Sequence, residues 1–414
     1  MSNHVVIIGG GAAGLSAALF ASRAGARVTL LEKNEKFGKK LYITGKGRCN
    51  MTNDCTTEEF LTNVPRNPRF LYSALRCLSP QDLQALMNSL GCRTKVERGQ
   101  RVFPESDHAS DVSRAFLDGL KGQGLKLGVE VKEILYENGR AAGVRVQDAM
   151  GERCIAADAV IVATGGLSYP VTGSTGDGYR MAEKAGHTLL PSVPSLVPLN
   201  IRESWPRQLM GLSLKNVALS AAARGKTRFS EQGEMLFTHF GISGPLVLTL
   251  SSALAREDWS KVSLSLDMKP ALSEKQLDDR LLREFAANPR RQLQNVLPAL
   301  LPSRMAEIFP ALCGMDGHMG VSQISAAQRQ KLVQTLKALP MSVVSPRGYE
   351  EAIITCGGVQ VKEIDPSTMM SRKVPGLYFA GEVLDVDAYT GGFNLQIAFS
   401  TGALAGNAAA GYQP

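Results

Sequence analysis

The sequence predicts an α/β fold in which the two ends of the chain build one parallel-sheet domain around an inserted middle. Three observations lead there. His4 to Gly14 reads as a buried apolar strand running into a glycine turn, with an alanine-rich helix behind it. Ala157 to Gly166 repeats the strand and turn in mid-chain, and Gly376 to Glu382 repeats them near the carboxyl end. Between the second and third repeats the pattern changes to short alternating strands and then to helical spacing.

The first turn is the most informative. Gly9-x-Gly11-x-x-Gly14 follows the strand, and Val28 to Leu31 forms a second strand ending in Glu32, 18 residues after Gly14. Together they make the Rossmann-like βαβ unit that binds dinucleotides. Gly9 makes the tight turn, Gly11 lets the backbone approach a pyrophosphate, and Gly14 permits close helix–strand packing. Amides at the helix start, Ala13 among them, face the phosphates. Glu32 stands where a carboxylate accepts from ribose hydroxyls, with Lys33 beside it in the predicted cofactor set. A glycine turn without a ligand is the plain alternative, and the motif alone leaves NAD and FAD both open.

At 414 residues the chain exceeds the usual single core, so two or three domains are expected. A content of 44% hydrophobic and 20% charged residues describes a globular protein with ample core. No uninterrupted apolar run reaches the roughly 18 residues of a membrane span, and the apolar start lacks a basic leader. A cytoplasmic protein with no membrane contact is expected. The 7 cysteines are scattered without a C-x-x-C pair, which argues against a disulfide framework or a zinc site, and no metal is expected. The formal charge is +8, and Lys33 to Arg101 holds 13 Lys or Arg against 6 Asp or Glu, a local excess of +7. Such a segment suits a polyanion such as nucleic acid, or else a solvated face that also neutralises cofactor phosphates.

Gly38 to Asn53 is rich in glycine, cations and small polar groups and has no periodicity, which makes it a functional loop after the ribose-binding strand. Its amides and cations, with Lys40, Gly47 and Arg48 singled out, suit a pyrophosphate or a flavin ring edge. Cys49 lies between Arg48 and Asn50, where a cation favours a thiolate or positions a thiol as a proton donor, though a lone cysteine also serves simply as a packing residue. Helical spacing follows over 58–90 and about 110–122. Alternation over 125–135 and 141–146 predicts a small meander, in which Val129 or Val131 packs against an adenine ring.

The mid-chain strand ends in Ala163-Thr164-Gly165-Gly166, and Thr175-Gly176-Asp177-Gly178 then opens a helix. This pairing resembles the two-dinucleotide-binding-fold flavoproteins of the fumarate reductase and aspartate oxidase type, and it moves the expected cofactor from NAD to FAD. The expected organisation is an FAD domain over 1–190 and 352–414, a β-barrel over 191–272 and 341–351, and a helical subdomain over 273–340. The barrel carries the polar turn Gly233 to Pro245 with His239, and the helices carry Arg280, Arg283, Arg290 and Arg291. At the carboxyl end Gly381 and Glu382 are expected at the ribityl chain or pyrophosphate. Gly392, Asn394 and Leu395 open a closing helix whose positive dipole end stabilises charge at N1 and O2 of a reduced flavin.

The combination G-G-G-A-A-G, G-K-G-R-C-N-M-T-N, L-F-T-H-F-G-I-S-G-P, T-C-G-G-V and A-Y-T-G-G-F-N-L-Q resembles the BaiN/RdsA family of NAD(P)/FAD-dependent oxidoreductases over nearly the whole chain. The resemblance implies an FAD domain with an inserted β-barrel and helical subdomain. It also implies a reducible carbon–carbon double bond as substrate, either in a bile-acid intermediate or in a uridine of 23S ribosomal RNA that becomes dihydrouridine. For the uridine, hydride adds at C6 while an acid protonates C5, with Cys49 the first candidate acid and His239 the second. The base must be unstacked, and a basic rim suits 23S rRNA or a ribosome-assembly precursor as partner. NADH or NADPH is the expected transient reductant, because no second Gly-x-Gly-x-x-Gly module is present. A small-molecule ene-reductase or amine oxidase on the same scaffold is the alternative, and a non-catalytic RNA-binding protein with structural FAD is the third reading.

Overall fold

A computed structural model describes residues 2–411, which divide into two compact units, 2–195 with 349–411 and Leu196–Gly348. The first unit begins with β1 (His4–Ile8), β2 (Arg27–Leu31), β3 (Thr52–Asn53), β4 (Thr94–Glu97), β5 (Arg101–Pro104) and β6 (Gly124–Lys126). It continues through β7 (Glu130–Glu137), β8 (Arg140–Asp148), β9 (Gly151–Ala156), β10 (Ala159–Val162) and β11 (Leu189–Ser195). The second unit holds β12 (Leu199–Ile201), β13 (Ser213–Ala223), β14 (Lys226–Phe237), β15 (Gly241–Ser243), β16 (Val262–Asp267) and β17 (Leu339–Pro346). The chain then returns to the first unit with β18 (Ile354–Val359), β19 (Leu377–Phe379) and a closing helix, Phe393–Ala409.

Five strands form the central parallel sheet in the order β19-β10-β1-β2-β6. Its inner strands read as continuous Val, Ile and Leu because parallel strands are covered on both faces, and Val5 to Ile8 and Ala159 to Val162 are all buried. The register pairs Ile8 with Leu31 and with Val162, and Val162 with Phe379, so the carboxyl ends of four strands come level. Ligands of open α/β sheets bind at such a rim. The first helix, Ala12–Arg23, crosses the closing helix through small residues: a β-carbon on Gly402 would lie 2.3 Å from the Ala13 carbonyl oxygen. Alanine and glycine therefore dominate both helices, since any larger side chain would force them apart.

Two smaller sheets complete this side, a β7-β8-β9 meander and a β3-β5-β4 sheet; β11 and β18 pair as a two-stranded ribbon. The alternation over 125–135 is not one strand. Gly124 to Lys126 joins the parallel sheet beside Thr29 to Leu31, and Gly128, with φ +67°, turns the chain before β7 starts. The apolar spacing over 58–90 likewise breaks into short helices at Thr57–Thr62, Tyr72–Cys77 and Pro80–Ser89, because Pro65, Pro68 and Pro80 interrupt it.

In the second unit six strands close a barrel in the order β12-β15-β14-β13-β16-β17. Val262-Ser263-Leu264-Ser265-Leu266 shows the alternation, its apolar residues buried inside. The helices over 274–337 do not form a core of their own. Leu277, Leu281, Phe309 and Leu332 belong to the same apolar cluster as Leu219, Leu264 and Met341 of the barrel, so barrel and helices fold around one core. Residues 191–195, expected in the barrel, instead belong to the first unit, because Val193 to Ser195 pairs with Ile354 to Cys356. Among the described residues no helix is long and apolar enough to cross a membrane.

Candidate active site

The amino-terminal turn is built by close approach. Gly9 has φ +100°, and a β-carbon there would lie 2.6 Å from the Ala163 carbonyl oxygen, so the turn at the end of β1 and the one after β10 touch. A β-carbon on Gly14 would lie 1.8 Å from the Gly9 carbonyl oxygen, whereas one on Gly11 would meet nothing within 4 Å. Gly9 and Gly14 are thus required by packing, and Gly11 leaves open space in front of the helix. That helix starts at Gly11 with no side-chain cap, leaving its first amides free for an anion.

Glu32 is buried and organises the same turn. One carboxylate oxygen accepts from the Gly10 amide at 2.8 Å, and the other accepts from the Asn34 amide at 2.9 Å and the Asn34 side chain at 2.7 Å. The Val129 amide donates to the Glu32 carbonyl at 3.0 Å, which brings the start of β7, with buried Val131, to the ribose-binding position. Lys33 is not a free phosphate ligand: its ammonium is held by Thr175 and Asp177 of the second glycine turn.

Three distant stretches meet where the flavin half is expected. Gly381 packs directly on the Ala13 methyl, and its amide donates to Thr401 of the closing helix at 2.9 Å. Glu382 forms an ion pair with Lys40 at 2.7 Å and accepts from the Thr355 amide at 2.9 Å; Ser168 binds both Lys40 and Glu382. Lys40 and Glu382 were each singled out by motif, but Ser168 and Thr355 were not, and nothing in local sequence links them. Past Ala163, the Thr164 hydroxyl is buried without a hydrogen-bond partner among the described residues, and Gly165 turns the chain.

The closing helix begins at Gly392, φ +101°, with no side-chain cap. A β-carbon there would lie 2.3 Å from the Thr52 carbonyl oxygen, so β3 backs the turn. The Asn394 side chain is engaged by the loop before it, accepting from the Ala388 amide at 2.8 Å and donating to its carbonyl at 2.7 Å. It braces the helix start and leaves the backbone amides of Asn394 and half-buried Leu395 to face a ligand. Two uncapped helix starts, the clear space beside Gly11 and the unpartnered Thr164 hydroxyl fit FAD at this rim.

In the Gly38–Asn53 loop, Arg48 and Cys49 both turn toward partners within the protein. The Arg48 guanidinium lies on the Phe103 ring at 4.2 Å and is bound by Asp107 at 2.6 Å and by Glu97, so it is already engaged within the chain. Cys49 is fully buried, and burial pushes its thiol up to about 12. Burial thus disfavours the thiolate, desolvation being the largest cause. The Gly47 to Cys49 backbone runs at positive φ at both ends, which turns the Cys49 side chain into the core. His239 lies on the second unit in the exposed turn between β14 and β15, its ring 4.9 Å from Phe240.

Sequence reasoning missed one buried ion pair. Arg66 binds both carboxylate oxygens of Asp387, which is fully buried, and Asn67 donates to the Asp385 carbonyl at 2.6 Å. The pair ties the 64–71 segment to the loop heading the closing helix. Two aspartates inside the apolar run 383–388 were the available signal.

Residues 3–408 match the family described as HI0933-like protein Rossmann domain. The chain is 34% identical to the 3-dehydro-bile acid delta(4,6)-reductase of Clostridium scindens, over 99% of each chain. It is 32% identical to the ribosomal RNA dihydrouridine synthases of Escherichia coli, over 96% of this chain and 95% of that one, and of Haemophilus influenzae, over 96% of each. Among solved structures, a 3-ketosteroid-delta4-(5alpha)-dehydrogenase from Rhodococcus jostii shares the fold with a TM-score of 0.56 at 14% identity, covering 99% of this chain and 97% of that one. With the rim geometry above, these likenesses close the question of class: the chain belongs to the HI0933-like Rossmann family of FAD-dependent oxidoreductases.

Proposed function

We propose that the chain reduces a uridine of 23S rRNA to dihydrouridine, with FAD as cofactor and NADH or NADPH as electron donor. The observation that supports this most is the near full-length match to relatives named ribosomal RNA dihydrouridine synthase. FAD supplies the hydride for C6 of the uracil. The chain would supply the rest: amides after Gly11 would hold the pyrophosphate, Glu32 would orient the ribose, and the amides at Phe393 to Leu395 would favour negative charge on the flavin ring. Cys49 is the first candidate for the proton to C5 in this reading, and because its side chain is buried in the core it must be uncovered to reach the base. His239 is the second candidate for that step.

A second reading, reduction of a conjugated double bond in a small molecule, is favoured by the 34% identity to the bile-acid reductase. One experiment separates the two. Purified yellow protein is reduced with NADH or NADPH without oxygen and mixed with dihydrouridine-free 23S rRNA or with an unsaturated 3-oxo bile acid. Flavin reoxidation by the rRNA, with dihydrouridine in the product, is expected; reoxidation by the bile acid alone would replace the first reading with the second.

A further inference from the structure

The cationic excess of the Lys33–Arg101 segment looks different once the side chains are placed. Lys33, Lys40, Arg48, Arg66 and Lys95 are bound by carboxylates, and four of these, Asp107, Asp177, Glu382 and Asp387, come from outside the segment. Much of the excess is therefore internal bracing. Of the cations left without a carboxylate among the described residues, Lys36, Arg69 and Arg76 lie apart and four others lie on the β4–β5 hairpin or beside it. Lys46, Arg93, Arg98 and Arg101 are exposed, and none has a carboxylate within ion-pair distance among the described residues.

A second, independent feature fixes where this hairpin points. Buried Asn53 donates from its side-chain amide both to the carbonyl of Gly99 at the hairpin tip, 3.0 Å, and to that of Gly391, 3.2 Å, in the turn that opens the closing helix. The Asp54 amide donates to Gln100 at 2.7 Å, and β3 pairs with β5 at Asn53 and Arg101. One side chain thus joins a cationic tip to the turn at the flavin end of the rim.

Resting on the rRNA reading above, we infer that the β4–β5 hairpin is the RNA-docking element: Arg93, Arg98 and Arg101, with Lys46 beside them, hold the phosphodiester backbone flanking the target uridine and place the base at the closing-helix turn. The hairpin supplies position through phosphate contacts, and the rim supplies the chemistry. Because Asn53 clamps the tip, ordering the hairpin costs little on binding.

The test compares two triple variants of the FAD-loaded protein, Arg93→Ala/Arg98→Ala/Arg101→Ala and Arg283→Ala/Arg290→Ala/Arg291→Ala, the latter on a helix of the second unit and the turn after it. Melting temperature and flavin absorbance establish that both are folded. The probe is protein-free 23S rRNA lacking dihydrouridine. The hairpin variant is expected to bind it about tenfold or more weakly near 0.1 M salt, with a salt slope shallower by about 2 and with dihydrouridine formation falling in parallel. The second variant is expected to bind within about twofold of the unsubstituted chain. Unchanged binding in the hairpin variant, while the unsubstituted protein still forms dihydrouridine, overturns the docking element and leaves the rRNA reading standing. If the unsubstituted protein neither binds the rRNA nor forms dihydrouridine, the rRNA reading and the docking element fall together.

Discussion

The Gly9–Gly14 turn and the Gly38–Asn53 loop are both glycine-rich, both follow strands of the parallel sheet, and both were expected to hold the cofactor. In the turn, the work is done by backbone: Gly14 lies against the Gly9 carbonyl, Gly9 against Ala163, and the open side of Gly11 faces the helix start. In the loop, side chains decide the outcome, and their partners come from elsewhere. Arg48 finds Glu97 and Asp107, and Lys40 finds Glu382. Where function rests on backbone geometry, spacing alone carries it; where it rests on side-chain partners, spacing is silent.

Substitutions sharpen that contrast. The largest effect is expected for Gly14→Ala, whose methyl collides with backbone that cannot yield, costing more than about 4 kcal/mol in a thermal or denaturant melt. Stability unchanged within error would mean that the turn is looser than the packing indicates. Asp387→Asn removes the buried carboxylate whose two oxygens hold Arg66 and is expected to cost about 3 kcal/mol by the same measurement. A loss below about 0.5 kcal/mol would place the pair among weak surface contacts.

Gly11→Ala should separate packing from binding. The added methyl meets no protein atom, so stability should stay within about 0.5 kcal/mol, while FAD retention, read by absorbance after dialysis, should fall. Cys49→Ala is expected to keep its flavin and lose uridine reduction. Its alkaline behaviour is a further check. The folded thiol titrates near 12 against an ordinary value near 9, so the thiol favours the folded state fully below pH 9 and loses that contribution as pH rises from there toward 12. Cys49→Ala should therefore lose less stability over that window than the unsubstituted chain. The smallest effect is expected for Arg48→Ala, a slight fall in melting temperature that salt diminishes, with FAD affinity unchanged. A marked loss of FAD would return Arg48 to the cofactor set.

The same division explains what was legible in the sequence. The parallel sheet showed itself because buried strands are apolar throughout and the turns after them need glycine. The barrel showed itself through alternation in stretches such as Val262 to Leu266. The single core shared by barrel and helices did not, because the apolar face of a helix such as Glu274–Ala287 does not announce what covers it. Nor did the Arg66–Asp387 pair, separated by 321 residues, or the clamp that Asn53 makes between Gly99 and Gly391. The basic segment was legible only in part: its charge is visible in sequence, but several of the carboxylates that pair with it lie outside the segment.

The most direct test of the account is nucleoside mass spectrometry of 23S rRNA from cells lacking this gene, with and without the gene restored. One dihydrouridine is expected to disappear and to return with the unsubstituted chain. A dihydrouridine content identical in all strains would contradict it.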